Sequence, residues 1–280
     1  MSNADQQTFW SDEAGASWVA LQDQLDRLFQ PVLDLVLTHA NLKPGLRVLD
    51  VGCGTGTSVS QAADLVGASG HVTGIDIAET MLTHAATVLT ARRNTALIRG
   101  DGQVYRFDPE HFDALISRFG VMFFEDTTAA FANMARGLRK GARITMAAWG
   151  PAPQNPFFME PAAVAKELLG PVPPMDRTLP GPFAFEDASR IVPMLEDAGL
   201  SDVTVQTFDV MLTPKGDAAS LAALVCEIGP AQSSLSHHAA SPEDHKALEA
   251  AIAAQFATHN TPKGLRIPAN INLYSARNPA

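Results

Sequence analysis

The chain is poor in cysteine, with only Cys53 and Cys226 in 280 residues. Two thiols build neither a disulfide framework nor a cysteine zinc site, and a chain this long buries a full core without either. Free thiols fit a reducing cytoplasm. Charge is also scarce: 18% of residues against about 25% in an average domain. What charge there is leans acidic, 30 Asp and Glu against 20 Lys and Arg, for a net −10. That balance repels polyanions, so nucleic acid and anionic membrane surfaces are disfavoured partners. No uncharged apolar run reaches the roughly 18 residues of a membrane span. The first residues, MSNADQQTFWSD, lack the basic-then-apolar order of a signal peptide. There is no internal repeat, and no histidine spacing matches a zinc motif, so no metal is expected.

What is present is a 46% apolar content, enough for a large core. Trp18, Leu21, Leu25, Leu28, Val32 and Leu35 recur at helical spacing and predict a helix over 13–40, which Pro31 is expected to split. Strands are then predicted over 46–51, 71–77, 96–99, 112–117 and 142–149. Helices alternate with them over 58–66, 79–91 and 127–138. This order predicts a parallel sheet with helices on both faces and ligands at the carboxyl ends of its strands. After Gly150 the composition shifts: nine of nineteen prolines fall within 151–182, which disfavours regular sheet. A helix over 187–198, a strand over 203–212, helices over 218–228 and 242–258 and a last strand over 269–274 follow. Ser241 with Asp244 three places on reads as a capping box. The expected layout is an N-terminal helical cap (1–42), a sheet core (43–150), a lid insertion (151–185), and the rest of the core (186–280) carrying a helical insertion (213–262).

The segment VLDVGCGTG, 48–56, is the most informative. A buried strand runs into glycines at alternate positions, Gly52, Gly54 and Gly56, and a helix follows. Such glycines allow positive φ and remove the Cβ atoms that would block a ligand, so backbone can lie against a nucleotide-like molecule beside a helix N-terminus. The dinucleotide fingerprint G-x-G-x-x-G requires a glycine at 57, where Thr57 stands, so the loop suits pyrophosphate poorly. Asp76 ends the second strand. A carboxylate there accepts ribose hydroxyls, or else caps the following helix. Asp101, before Gly102 in the Arg99-Gly100-Asp101-Gly102 run, either accepts from an adenine amino group or simply makes a turn.

These residues resemble the class I S-adenosylmethionine-dependent methyltransferases, most clearly over 48–149. VLDVGCGTG is similar to the family's first motif, GIDIAETML to its second and GDGQVYRF to its third. The wider pattern resembles the small-molecule subgroup that includes ubiquinone and menaquinone C-methyltransferases. The resemblance implies a Rossmann-like α/β fold: a seven-stranded sheet with helices on both faces, a last strand pair forming an antiparallel hairpin, and helical lid insertions. It implies S-adenosylmethionine as cofactor and S-adenosylhomocysteine as product. Asp50, Gly52, Cys53, Gly54 and Gly56 would hold the methionine part, and Asp76 the ribose. Ile77 and Met81 would flank the adenine, Asp101 and Gly102 would meet its edge, and Ser117 and Arg118 would lie beside the methyl donor. The Asn/Asp-Pro-Pro-Tyr tetrapeptide of base-methylating enzymes is missing.

Methyl transfer from a sulfonium needs alignment above all, and alignment alone supplies about 7–11 kcal/mol. A base is required only for a poorly acidic acceptor. No catalytic residue is therefore evident, and Arg118 and Glu160 are the polar side chains expected nearest the acceptor. Trp10, Trp18, Phe119, Trp149, Phe157 and Phe158 are expected to line an apolar acceptor pocket, or else to pack the insertions on the core. His237, His238 and His245 fall in the second insertion and read as a solvated loop. The expected activity is methyl transfer to a small, largely apolar organic molecule by a monomer or homodimer. Cofactor binding without catalysis and, more remotely, NAD(P)-dependent oxidoreduction are the alternatives.

Overall fold

The computed structural model describes residues 2–11 and 13–279. Three helices come first: α1 (Asn3–Ser11), α2 (Glu13–Ala20) and α3 (Gln22–Ala40). The sheet half follows as β1 (Arg47–Val51), α4 (Thr57–Val66), β2 (His71–Asp76), α5 (Glu79–Val88), β3 (Thr95–Arg99), β4 (Phe112–Arg118), α6 (Thr127–Gly137) and β5 (Leu138–Trp149). Then come α7 (Pro156–Leu169), α8 (Ala188–Asp197), β6 (Ser201–Leu212), α9 (Ala218–Glu227), α10 (Gly229–His237) and α11 (Pro242–Phe256). A short hairpin, β7 (Asn260–Thr261) and β8 (Gly264–Leu265), precedes the final strand β9 (Ile267–Arg277).

Seven strands form one sheet in the order β3-β2-β1-β4-β5-β9-β6. The first five are parallel, and β9 lies antiparallel between β5 and β6. This is the expected Rossmann-like sheet with its antiparallel last pair. Val48, Leu49 and Asp50 are fully buried, as a central parallel strand covered on both faces must be. The polarity of the strands brings Val51, Asp76, Arg99, Arg118, Trp149 and Leu212 to one edge of the sheet. α7 follows β5 and α9 to α11 follow β6 at that edge, whereas α8 leads into β6 at the opposite end. Asp126, Asp187, Asp217 and Ser241 cap α6, α8, α9 and α11, and Ser241 with Asp244 forms the expected capping box.

Several segments differ from the sequence expectation: the 13–40 helix breaks at Leu21, and residues 229–237, where His237 was expected in a loop, form α10. Pro31 does not split α3, which runs unbroken through it. The carbonyl that a residue-31 N–H would have engaged, that of Arg27, instead accepts the Thr213 hydroxyl at 2.8 Å. Residues 3–11 are helical although their polarity gives no amphipathic signal, and the proline-dense stretch contains the helix α7, with Pro156 at its first turn and Pro161 inside it. Proline in a first turn displaces no intrahelical bond.

Candidate functional site

The glycine loop lies where β1 meets α4. Gly52, Gly54 and Gly56 all have positive φ, +69°, +51° and +90°. At Gly52 the reason is close backbone approach: a Cβ there would sit 2.5 Å from the Gly120 Cα. Ser117, fully buried, fastens this junction by donating its hydroxyl to the Val51 carbonyl at 2.7 Å and accepting the Gly120 N–H at 3.2 Å. At Gly54 a Cβ would meet only the Met81 sulfur, at 3.6 Å. Cys53 turns inward, and its side chain, like that of Val59, packs on Gly74. Burial pushes its thiol pKa well up, and Asp76 and Asp50 add to the shift.

Asp76 closes β2 beside this loop and is 8% exposed. Its Oδ2 accepts the Gly54 N–H at 2.7 Å and its Oδ1 the Ala78 N–H at 2.9 Å. Ala78 precedes α5 as its N-cap residue, so Asp76 does not cap that helix in the usual way. A carboxylate has about four acceptor positions, and even with the Ile77 N–H also acting on this one its acceptor capacity is not filled. Burial raises its pKa, against the backbone N–H groups that favour the charged form.

Beneath the loop lies a buried polar network. Asp50, 0% exposed, accepts the Ser58 hydroxyl on Oδ2, while its Oδ1 has no partner. Burial lifts its pKa to about 7, opposed by Ser58 and then by the Arg118 charge. Arg118, at the end of β4, pairs with Asp26 of α3 at 3.6 Å, and its Nη1 is buried without a partner. Asp26 also accepts from Thr57 at 2.6 Å and from Gln22 at 3.2 Å. An unpaired acceptor and an unpaired donor thus lie at the same sheet edge as the glycine loop. Buried polar atoms are normally satisfied.

The expected aromatic residues form two groups. Phe119 and Trp149 stack at 4.5 Å and 5°, Phe157 lies parallel to Trp149 at 6.2 Å, and Phe158 meets it edge-on at 4.9 Å. Phe29 touches Phe119, Trp149 and Phe157 edge-on. Trp149 is only 3% exposed. Phe119 holds φ +69°, a strained setting for an aromatic residue. Trp10 and Trp18 lie apart from that cluster, with Trp10 edge-on to Trp18 and to Phe123. Glu160 pairs with His259 at 2.9 Å, and its second oxygen is buried without a partner. A cleft of about 590 Å³ is lined by Gln103, Glu125, Asp126, Thr178, Arg190 and Met194 among others, and includes no residue of the glycine loop. Among the described residues no group of three or more His, Cys, Asp or Glu is placed to hold a metal ion, and no helix is long and apolar enough to cross a membrane.

Residues 48–141 match the model of a methyltransferase domain. The chain is 34% identical over 188 residues to nocamycin O-methyltransferase of Saccharothrix syringae, a match spanning 62% of this chain and 66% of that one. It is 26% identical over 182 residues to demethylmenaquinone methyltransferase of Staphylococcus epidermidis, across 62% and 75% of the two chains. The fold resembles that of a Haemonchus contortus phosphoethanolamine N-methyltransferase solved with S-adenosylhomocysteine, at TM-score 0.54 and 20% identity. That likeness covers 89% of this chain and 52% of the other. The chain belongs to the class I S-adenosylmethionine-dependent methyltransferases.

In this methyltransferase four contacts at the site escape sequence reasoning. Phe29 falls inside the apolar face of α3, where its contact with Trp149 has no local signature. Asp26 and His259 become visible only through their long-range partners Arg118 and Glu160. Asn3, near the amino end, donates to Asp101 at 2.7 Å.

Proposed function

We propose that this chain moves a methyl group from S-adenosylmethionine to a small, largely apolar organic acceptor by in-line displacement. The observation that carries the reading is Asp76, held by the Gly54 N–H against an open glycine loop. The residues fit the cofactor: a Cβ at Gly54 would fill its cradle, and Asp50 Oδ1 and Arg118 Nη1 await partners. When bound, the group supplies an electrophilic methyl on a sulfonium. The 52–56 backbone would hold its amino-acid part, with Asp50 and Arg118 offering opposite charges to the ammonium and carboxylate. Asp76 would accept from the ribose, Ile77 and Met81 would flank the base, and Asp101 with Gly102 would meet its edge. The insertions 151–185 and 213–262 would cover the acceptor, with Phe119, Trp149, Phe157 and Phe158 excluding water. Glu160 of the first insertion, paired with His259 of the second, is an acid–base pair within that cover.

The small-molecule reading is supported by the named substrates of the relatives and by the net charge of −10. Two buried free thiols accord with a reducing cytoplasm. A second reading, cofactor binding without transfer, is favoured by the near-complete burial of Trp149 within its aromatic cluster. A screen of radiolabelled methyl transfer separates the two. Labelling of a small phenol, quinone, thiol or amine is expected. Labelling of tRNA, DNA or intact protein alone would refute the acceptor class, and no labelling beside firm cofactor binding would favour the second reading.

A further inference from the structure

Asp101 and Gln103 lie beyond the end of β3, where the cofactor reading places the base. Asp101 Oδ1 accepts the Gln103 N–H at 2.8 Å. Its Oδ2 is taken by Asn3, whose carboxamide nitrogen donates at 2.7 Å and also reaches Gln103 Oε1 at 2.9 Å. The other end of that carboxamide, Oδ1, accepts the Glu125 N–H at 2.8 Å, and the Asn3 N–H donates to Glu125 Oε2 at 3.3 Å. One side chain therefore joins two loops that are 22 residues apart in the chain. The rest of α1 is tied down as a strap. Trp10 packs edge-on against Phe123 and Trp18, and Thr80 of α5 donates its hydroxyl to the Ser11 carbonyl at 2.6 Å.

A primary carboxamide presents a planar NH₂ donor beside an oxygen acceptor. The amino edge of adenine presents the same order, an NH₂ beside a ring-nitrogen acceptor. We infer that Asn3 is an internal surrogate for the adenine amino group: α1 straps the base end of the cofactor site through Asp101 and must release it before the cofactor seats. The inference rests on the cofactor reading above. The Asn3 nitrogen bridges Asp101 Oδ2 and Gln103 Oε1, so a base amino group approaching the same oxygens meets a donor already in place. The strapped and open forms then compete, and apparent cofactor affinity falls in proportion to the strapped fraction. The rim of the site so becomes a setting on cofactor affinity that is independent of Asp76 and the glycine loop.

The test is calorimetric titration of S-adenosylhomocysteine into the full chain, the Asn3→Ala variant and the Asp76→Ala variant. It is paired with amide exchange of the unaltered chain with and without the ligand. Removing the competing donors should tighten binding in Asn3→Ala by roughly three- to tenfold, while Asp76→Ala weakens it. Ligand should speed exchange across residues 3–11. Unchanged or weaker binding by Asn3→Ala, or added protection of residues 3–11, would overturn the strap while leaving the cofactor reading intact. Absence of binding by every form would overturn the cofactor reading and the strap with it. Should Asn3→Ala fail to fold, the exchange measurement on the unaltered chain decides alone.

Discussion

The floor of the site and its cover are built on opposite principles. On the floor, formed by the ends of β1, β2 and β4, buried polar atoms stand without partners: Asp50 Oδ1 and Arg118 Nη1. In the cover over β5, Phe29, Phe119, Trp149, Phe157 and Phe158 satisfy one another, since apolar rings need contact and not specific partners. Unpaired buried polar atoms are costly, so the floor is shaped for a molecule that supplies the missing groups. The cover is stable as it stands and must loosen if an acceptor is to enter. An exception in the cover is Glu160, whose second oxygen is buried without a partner; the aromatic contacts there are made within the protein.

The contrast can be broken from the cover first. Trp149→Ala should destabilise the fold by about 3–5 kcal/mol, the usual range for a buried aromatic, read as a fall in the urea midpoint. A loss under about 1 kcal/mol would mean the cluster collapses freely into the space. On the floor, Gly52→Ala combines a left-handed setting, about 1–2 kcal/mol, with overpacking against Gly120, about 1–3 kcal/mol. It should lose stability and cofactor binding together. Normal binding in a stable Gly52→Ala protein would detach the loop from the site.

A subtler effect is pH dependence. The folded Asp50 holds its proton up to about pH 7, whereas an unfolded Asp loses it near its ordinary 3.8. Between these values the native state binds more protons, so this group's contribution makes stability fall as pH rises. The slope is at most about 1.4 kcal/mol per pH unit, and it vanishes above the folded pKa. Asp50→Asn should flatten that part of the profile. An identical slope in the variant would show that Asp50 titrates normally.

The floor was legible in the sequence because its signals are local. Alternate glycines after an apolar strand demand positive φ, and all three have it. Alternating elements foretold a parallel sheet with helices on both faces, and the family resemblance its antiparallel last pair. The cover was legible only in composition: the prolines around 151–182 masked α7, and the polar residues 3–11 masked α1. Pro31 was expected to break α3 because the rescue comes from Thr213, far along the chain. Likewise the Glu160–His259 and Arg118–Asp26 pairs join segments 99 and 92 residues apart, separations at which residue type alone carries no pairing information.

The central claim is that the glycine loop and Asp76 together bind an adenosyl cofactor. Titration calorimetry of S-adenosylhomocysteine tests it most directly, comparing the unaltered chain with Asp76→Ala at matched thermal stability. Hydrogen bonds to a charged group contribute about 1.5–3 kcal/mol, so the account predicts one binding site, weakened at least tenfold by the substitution in a protein that melts as before. No binding at millimolar ligand, or equal binding by both proteins, would contradict it.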